Sequence, residues 1–171
     1  MPATLNATQA SLLGFLHDGP KTGWELLQEA ERGFQRFWNV TSSHVYRELR
    51  ALEAKELVTE GEPGPRDRRP FTITRRGRAA FREWIAQEPA HEQIRFPLLV
   101  TLWFGKHLDD ATLRGFVDSH RKEHQHRLDL YRDAKQHAPD EYVGSVVQFG
   151  IEYEKAVLRW LEGLPVGAAG D

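Results

Sequence analysis

Apolar positions recur at helical spacing through most of the chain, with one short interruption. Ala10, Leu12, Leu13, Phe15 and Leu16 form the first stripe, opened by Asn6 or Thr8 as a cap and stopped by Gly19-Pro20. Thr22-Gly23-Trp24-Glu25 reads as a capping box, in which the threonine and glutamate exchange bonds with each other's backbone N–H. It starts a short second helix through Leu26, Leu27 and Ala30 that ends at Gly33. Thr41 or Ser42 caps a third helix, with Val45, Leu49 and Leu52 inward and Leu57 just beyond its end. The period then shortens. Leu57 to Glu60 predicts a strand, the Pro/Gly-bearing stretch 61–69 a turn, and Pro70 to Thr74 the returning strand. Pro70 removes one ladder donor, which predicts an edge strand. Thr74 caps a fourth helix to about Gln87, packed through Ala79, Ala80, Phe81, Trp84 and Ile85.

Beyond Glu88-Pro89-Ala90 the pattern is wholly helical. Pro97 suits a first helical position, in a helix running to about Leu108. Asp109 or Asp110 caps a long helix to His137, whose stripe is Leu113, Val117, His120, His124, Leu128 and Tyr131, close to a coiled-coil seam. A last helix starts at Pro139-Asp140, carries Val143, Val146, Val147, Gly150, Ile151, Val157, Leu158, Leu161 and Leu164, and stops at Gly163 and Pro165. The expected organisation is a mainly α, α+β chain. Residues 1–88 form a winged helix-turn-helix DNA-binding domain, residues 89–165 an α-helical dimerisation and effector domain, and residues 166–171 a disordered tail. Two long helices with narrow apolar stripes call for a covering partner, and a second copy of the chain is the expected one.

Charge and composition narrow the function. The 171 residues carry 23 Lys+Arg against 25 Asp+Glu, a net charge of -2, so no global field draws the protein to DNA or to a membrane surface. Attraction to a polyanion must be local. It is concentrated between Arg66 and Arg82, where Arg66, Arg68, Arg69, Arg75, Arg76, Arg78 and Arg82 face the single acid Asp67. All seven are arginine, whose planar fork matches phosphate or carboxylate. With no cysteine there is no disulfide framework, thiolate nucleophile or cysteine-ligated metal. The apolar run Leu98–Phe104 is too short to span a bilayer, and the amino terminus lacks the pattern of a secretory signal; the expectation is a cytoplasmic protein without membrane association.

The order of three helices and a hairpin, with a basic outer face on the third helix, is that of a winged helix-turn-helix. A helix fits the major groove and its outward side chains read base edges or hold phosphates. The residues expected to meet DNA are Ser42, Ser43 and His44 in the first turn of the third helix, then Tyr46, Arg47 and Arg50 on its outer face. Arg66, Arg68 and Arg69 at the hairpin tip are expected to reach the minor groove or its phosphates. Competing placements are pairing of Arg47 with Glu48 or Glu53, and packing of Tyr46 on the second helix.

The chain resembles the PadR-type transcriptional regulators. The residues that carry the resemblance are Leu12 to Leu16, Gly19-Pro20, Gly23 to Leu26, Phe37 to Val40, Val45 to Leu49, Leu52-Glu53, Leu57-Val58 and Phe71 to Gly77. Leu102 to Gly105, the His120 helix, Glu152 to Glu154 and Trp160-Leu161 extend it to the longer form with a carboxy-terminal helical domain. The resemblance implies a homodimeric, cytoplasmic, DNA-binding regulator, usually a repressor, paired through its carboxy-terminal helices and often released by a small aromatic effector. It matches Tyr46 to the family's recognition-helix tyrosine and Arg66, Arg68 and Arg69 to its wing arginines by position. Ser43 stands where many members have glycine, and Phe71 where many have tyrosine.

Other chemistry is poorly supported. His120-Arg121-Lys122-Glu123-His124 spells H-x-x-E-H, a zinc-helix pattern. Both histidines fall in the apolar stripe, however, where bonds to a packing helix account for them, and the chain nominates no third ligand. No enzyme, metal or cofactor is expected. A winged-helix adaptor that binds protein instead of DNA is the alternative, and it would expose more apolar surface on the third helix. Trp103 and Phe104 are the expected lining of an effector pocket.

Overall fold

The computed structural model describes residues 4–33, 41–64, 68–91 and 94–166. Phe37 to Val40, Arg66 and the tail beyond Val166 lie outside them. The chain divides into two compact units, Met1–Ala90 and His91–Asp171.

The first unit opens with α1 (Ala7–Phe15), capped by Asn6, whose side chain accepts from the Gln9 backbone N–H. A short 3₁₀ turn, Leu16–Asp18, follows. The chain turns at Gly19, whose φ of 130° only glycine adopts easily, and enters β1 (Lys21–Thr22). The second helix, α2 (Gly23–Gly33), begins with the expected capping box: the Thr22 backbone N–H donates to Glu25 at 2.7 Å and the Glu25 N–H to the Thr22 hydroxyl at 3.3 Å. Thr41 caps α3 (Ser42–Ala54). Then come β2 (Val58–Glu60), β3 (Pro70–Ile73) and α4 (Arg75–Ile85), capped by Thr74.

The sheet order is β1-β3-β2, all antiparallel, with Lys21 opposite Phe71 and Thr22 opposite Pro70 on one side and Thr59 opposite Thr72 on the other. This corrects the edge-strand expectation for Pro70, since β3 is the central strand. Proline is accommodated because it is the strand's first residue, and its carbonyl still accepts from Gly61 N–H at 2.8 Å. One core joins Leu12, Leu13, Leu16, Leu26, Val45, Leu49, Leu52, Leu57, Val58, Phe71 and Ile73.

The turn from α3 to β2 is a Schellman motif: Leu57 N–H bonds Leu52 O and Glu56 N–H bonds Glu53 O. Its left-handed residue is Glu56, at φ 58°, and the usual hydrophobic contact is supplied by Leu52 and Leu57, both buried.

The second unit holds α5 (Pro97–Trp103), a 3₁₀ turn (Gly105–His107), α6 (Asp110–Gln136) capped by Asp109, and α7 (Glu141–Glu162) capped by Asp140. The fifth helix stops before the expected Leu108, because Phe104 and Gly105 turn the chain into the tighter 3₁₀ geometry. Helices α6 and α7 run antiparallel: Lys135 Nζ donates to Gly144 O, the Tyr131 ring covers Gly150, and His124 meets Glu154. Two apolar clusters line the seam, Leu98, Val117, Val157 and Leu161 near one end and Leu128, Tyr131, Val147 and Ile151 near the other. Between them His124 Nδ1 and Glu154 Oε2 lie 2.5 Å apart, both buried. Among the described residues no helix is long and apolar enough to cross a membrane.

Candidate nucleic-acid interface

Three elements hold the side chains singled out in the sequence. Helix α3 buries Val45, Glu48, Leu49 and Leu52, and this fixes its rotation. Ser42, Ser43, Tyr46, Arg47 and Arg50 are consequently exposed, and Ser43, Tyr46, Arg47 and Arg50 recur at the three- and four-residue spacing of a single face. His44 is half-buried beside them.

The burial of Glu48 is the organising feature of this helix. Its carboxylate accepts from Asn6 Nδ2 at 3.1 Å and Gln9 Nε2 at 2.9 Å, tying α3 to the start of α1. Its other oxygen faces Arg47 and His44, at 3.3 and 3.2 Å. Burial pushes this carboxyl upward, but the bonds from Asn6, Gln9 and Arg47 and the neighbouring His44 outweigh it, so the net shift is below the usual glutamate range. The sequence alternative of an Arg47–Glu48 pair is therefore realised, while the Arg47 side chain stays 70% exposed. Tyr46 also takes its competing placement, with its ring against Gly23 at the start of α2 and 44% of its surface open.

On the wing, Gly61 N–H bonds Pro70 O and Gly64 N–H bonds Arg68 O, which carries the hairpin beyond its strands. Arg69 pairs with Glu60 at 3.4 Å. The Arg68 guanidinium lies 4.8 Å from the centroid of the Trp24 ring. Nearby, the Thr22 backbone N–H and hydroxyl, followed by the charges of Lys21 and Arg68, hold Glu25 below the carboxylate range against a smaller effect of burial. Sequence reasoning gave Trp24 no part in this surface and read Glu48 only as a competing partner for Arg47, without its burial. The capping box placed Trp24 in the first turn of α2, but the register that brings Arg68 to it depends on β1, which has no sequence pattern. Glu48 carries no apolar signal at all.

In the second unit Trp103 is 83% and Phe104 56% exposed. Of the H-x-x-E-H residues, Glu123 bonds Arg127 at 2.8 Å and His124 bonds Glu154 of the packing helix. Among the described residues no three His, Asp or Glu side chains gather as a metal cluster.

The three-helix core, the three-stranded sheet and the outward basic face of α3 define a winged helix-turn-helix transcription regulator. Residues 12–83 match the transcriptional regulator PadR-like family, and residues 94–164 match the virulence activator alpha C-terminal domain. The chain belongs to the PadR-type transcriptional regulators, in the longer form with a carboxy-terminal helical domain, and these are regulators of transcription, not enzymes. The probable transcriptional regulator Rv1176c of Mycobacterium tuberculosis is 26% identical over 89% of this chain and 92% of its own. The PadR-like regulator BC1756 of Bacillus cereus superposes with a TM-score of 0.81 at 18% identity, covering 91% of this chain and 93% of that one. Bacillus subtilis PadR in complex with operator DNA gives 0.76 at 19% identity, covering 92% and 96%. The same regulator in complex with p-coumaric acid gives 0.71 at 19%, covering 92% and 95%.

Proposed function

We propose that this regulator is a cytoplasmic repressor that binds an inverted-repeat operator as a homodimer and is released by a small aromatic ligand. The outer face of α3 carries the reading: two arginines, a tyrosine and first-turn serines share one exposed surface, with wing arginines on the adjoining hairpin. Arg47 and Arg50 contact guanine edges or phosphates, while Ser42, Ser43, His44 and Tyr46 supply shorter donors and acceptors. Arg68 and Arg69, together with Arg66, reach the flanking minor groove. Residues 1–88 act as the DNA-binding domain and residues 89–165 as the dimerisation and effector domain.

Dimerisation is supported by apolar side chains left open on α7 and α5. Tyr142, Val143, Val146 and Phe149 on α7, and Leu99, Val100, Trp103 and Phe104 at the end of α5, are all exposed. Exposed apolar surface on this scale supports a partner that covers it. A symmetric pair places two recognition helices in successive major grooves, about 34 Å apart. The p-coumaric acid complex of the Bacillus subtilis relative supports an aromatic effector, and Trp103 and Phe104 are the aromatic surface available to it.

Fluorescence anisotropy tests the reading, with duplexes drawn from upstream of the protein's own gene and from a random-sequence selection, in a salt series. Wild type binds selectively, with log affinity falling linearly in log salt, and Arg47→Ala/Arg50→Ala abolishes selectivity. Absence of binding to every duplex by a folded dimer would overturn it.

A further inference from the structure

Trp24 lies outside the set of side chains expected to meet DNA, yet it supports one of them. Strands β1 and β3 pair with Lys21 opposite Phe71 and Thr22 opposite Pro70. Continued two residues outward, the same register puts Trp24 opposite Arg68. The backbone leaves the ladder there, because α2 starts at Gly23. The side chains prolong the pairing instead, with the guanidinium 4.8 Å from the ring centroid. The wing tip is thus joined to the first turn of α2 by a cross-strand cation–π contact.

We propose that Trp24 is a positioning residue for operator recognition, presenting the Arg68 guanidinium from a fixed platform. The inference rests on the DNA reading above and adds a residue to it. A guanidinium held over an indole by its charge takes no conventional hydrogen-bond acceptor from it, so N–H donors remain for a phosphate or base edge. The wing arginines differ in this respect: Arg69 is engaged by Glu60 at 3.4 Å, whereas Arg68 makes no direct ion pair among the described residues and acts on Glu25 only through its charge. Trp24 is itself 47% exposed, so the platform opens onto solvent at the same surface as Tyr46, whose ring lies on the neighbouring Gly23. An arginine held this way reaches DNA with its rotamers already restricted, which lowers the ordering cost of binding. Lysine, a point charge on a flexible stem, cannot use the platform equally.

The test is a double-mutant cycle on the full-length protein. Affinity for the best selected duplex is measured by anisotropy for Trp24→Ala, Trp24→Phe, Arg68→Ala, Arg68→Lys and Trp24→Ala/Arg68→Ala, each across the salt series. The expected result is that Trp24→Ala and Arg68→Ala weaken binding similarly and the double variant is no weaker than either. The coupling corresponds to about a two- to five-fold change in affinity. Trp24→Phe restores most of the loss, and Trp24→Ala lowers the salt slope by as much as Arg68→Ala, about one phosphate. Thermal unfolding is followed alongside. A Trp24→Ala protein that loses stability but keeps wild-type affinity and salt slope would overturn the proposal, as would losses that simply add. If wild type binds no duplex, the DNA reading falls and this inference with it; additive losses in a wild type that binds remove this inference alone.

Discussion

The ring of Tyr46 lies so close over Gly23 that a methyl group at Gly23 would stand 2.6 Å from its Cε1 and 2.7 Å from its Cζ. The tyrosine of the recognition helix is therefore seated on the first residue of the helix before it, and glycine there is a requirement of packing between the two. Gly23→Ala must push the ring outward. Because the displaced atoms belong to the end of a side chain, the fold tolerates the change, at about 1 kcal/mol. The stronger effect is expected on operator affinity, a several-fold loss by anisotropy, with Gly23→Ala/Tyr46→Ala no weaker than Tyr46→Ala alone.

Glu48 gives the recognition helix a pH-dependent anchor. Its carboxyl is held below the ordinary glutamate value, so the native state binds this proton less readily than the unfolded chain does. The stability it contributes is fully present above the unfolded pKa, near 4.3, and is lost as pH falls through the lower folded value. Glu48→Gln keeps the shape but loses the charged acceptor for Asn6, Gln9 and Arg47. At pH 7 it is expected to cost about 1–3 kcal/mol. In urea titrations at several pH values the gap from wild type should close below about pH 4. A gap independent of pH would show that the charge of Glu48 contributes nothing.

Glu56 is a non-glycine residue in the left-handed position that glycine usually fills at a helix end. Among the described residues its side chain gains a surface ion pair with Arg76 at 2.8 Å, an interaction of small value in water. Glu56→Gly is therefore expected to leave stability unchanged or raise it by up to about 1 kcal/mol, whereas Glu56→Val, branched at Cβ, should lower it. Thermal melts of the two variants check the order.

The His124–Glu154 pair sits between the two apolar clusters of the α6/α7 seam. Removing one member leaves the other buried without its partner, so Glu154→Ala is expected to destabilise by about 3–5 kcal/mol. The paired change His124→Leu/Glu154→Leu is expected to recover most of that. Chemical denaturation of wild type and the two variants measures both, and a double variant no more stable than Glu154→Ala would contradict the coupling seen in the geometry.

The sequence showed what local chemistry decides. Asn6, Thr22, Thr41, Thr74, Asp109 and Asp140 all stand at helix starts, because a cap is satisfied by neighbours two or three residues away. The outward face of α3 followed from where Val45, Leu49 and Leu52 fall. Relationships set by distant residues stayed hidden. Strand β1 is two residues long, too short to show alternation, and without it β3 looked like an edge. Glu48 reads as a surface charge until Asn6 and Gln9 of another helix are seen to meet it. Among the wing arginines, nothing near Arg68 in the chain announces Trp24.

The short outer strands have a further consequence for how the molecule behaves when concentrated. Strand β1 offers two residues and β2 three, and both flank the longer β3. So few open backbone donors and acceptors give an incoming chain little to extend from. Unwanted association, as in concentrated stocks or on overexpression, should therefore proceed through the apolar helix faces of the second unit. It should add helical contacts and no cross-β signature, and polar substitutions on those faces, not on the hairpin, are the changes that would restrain it.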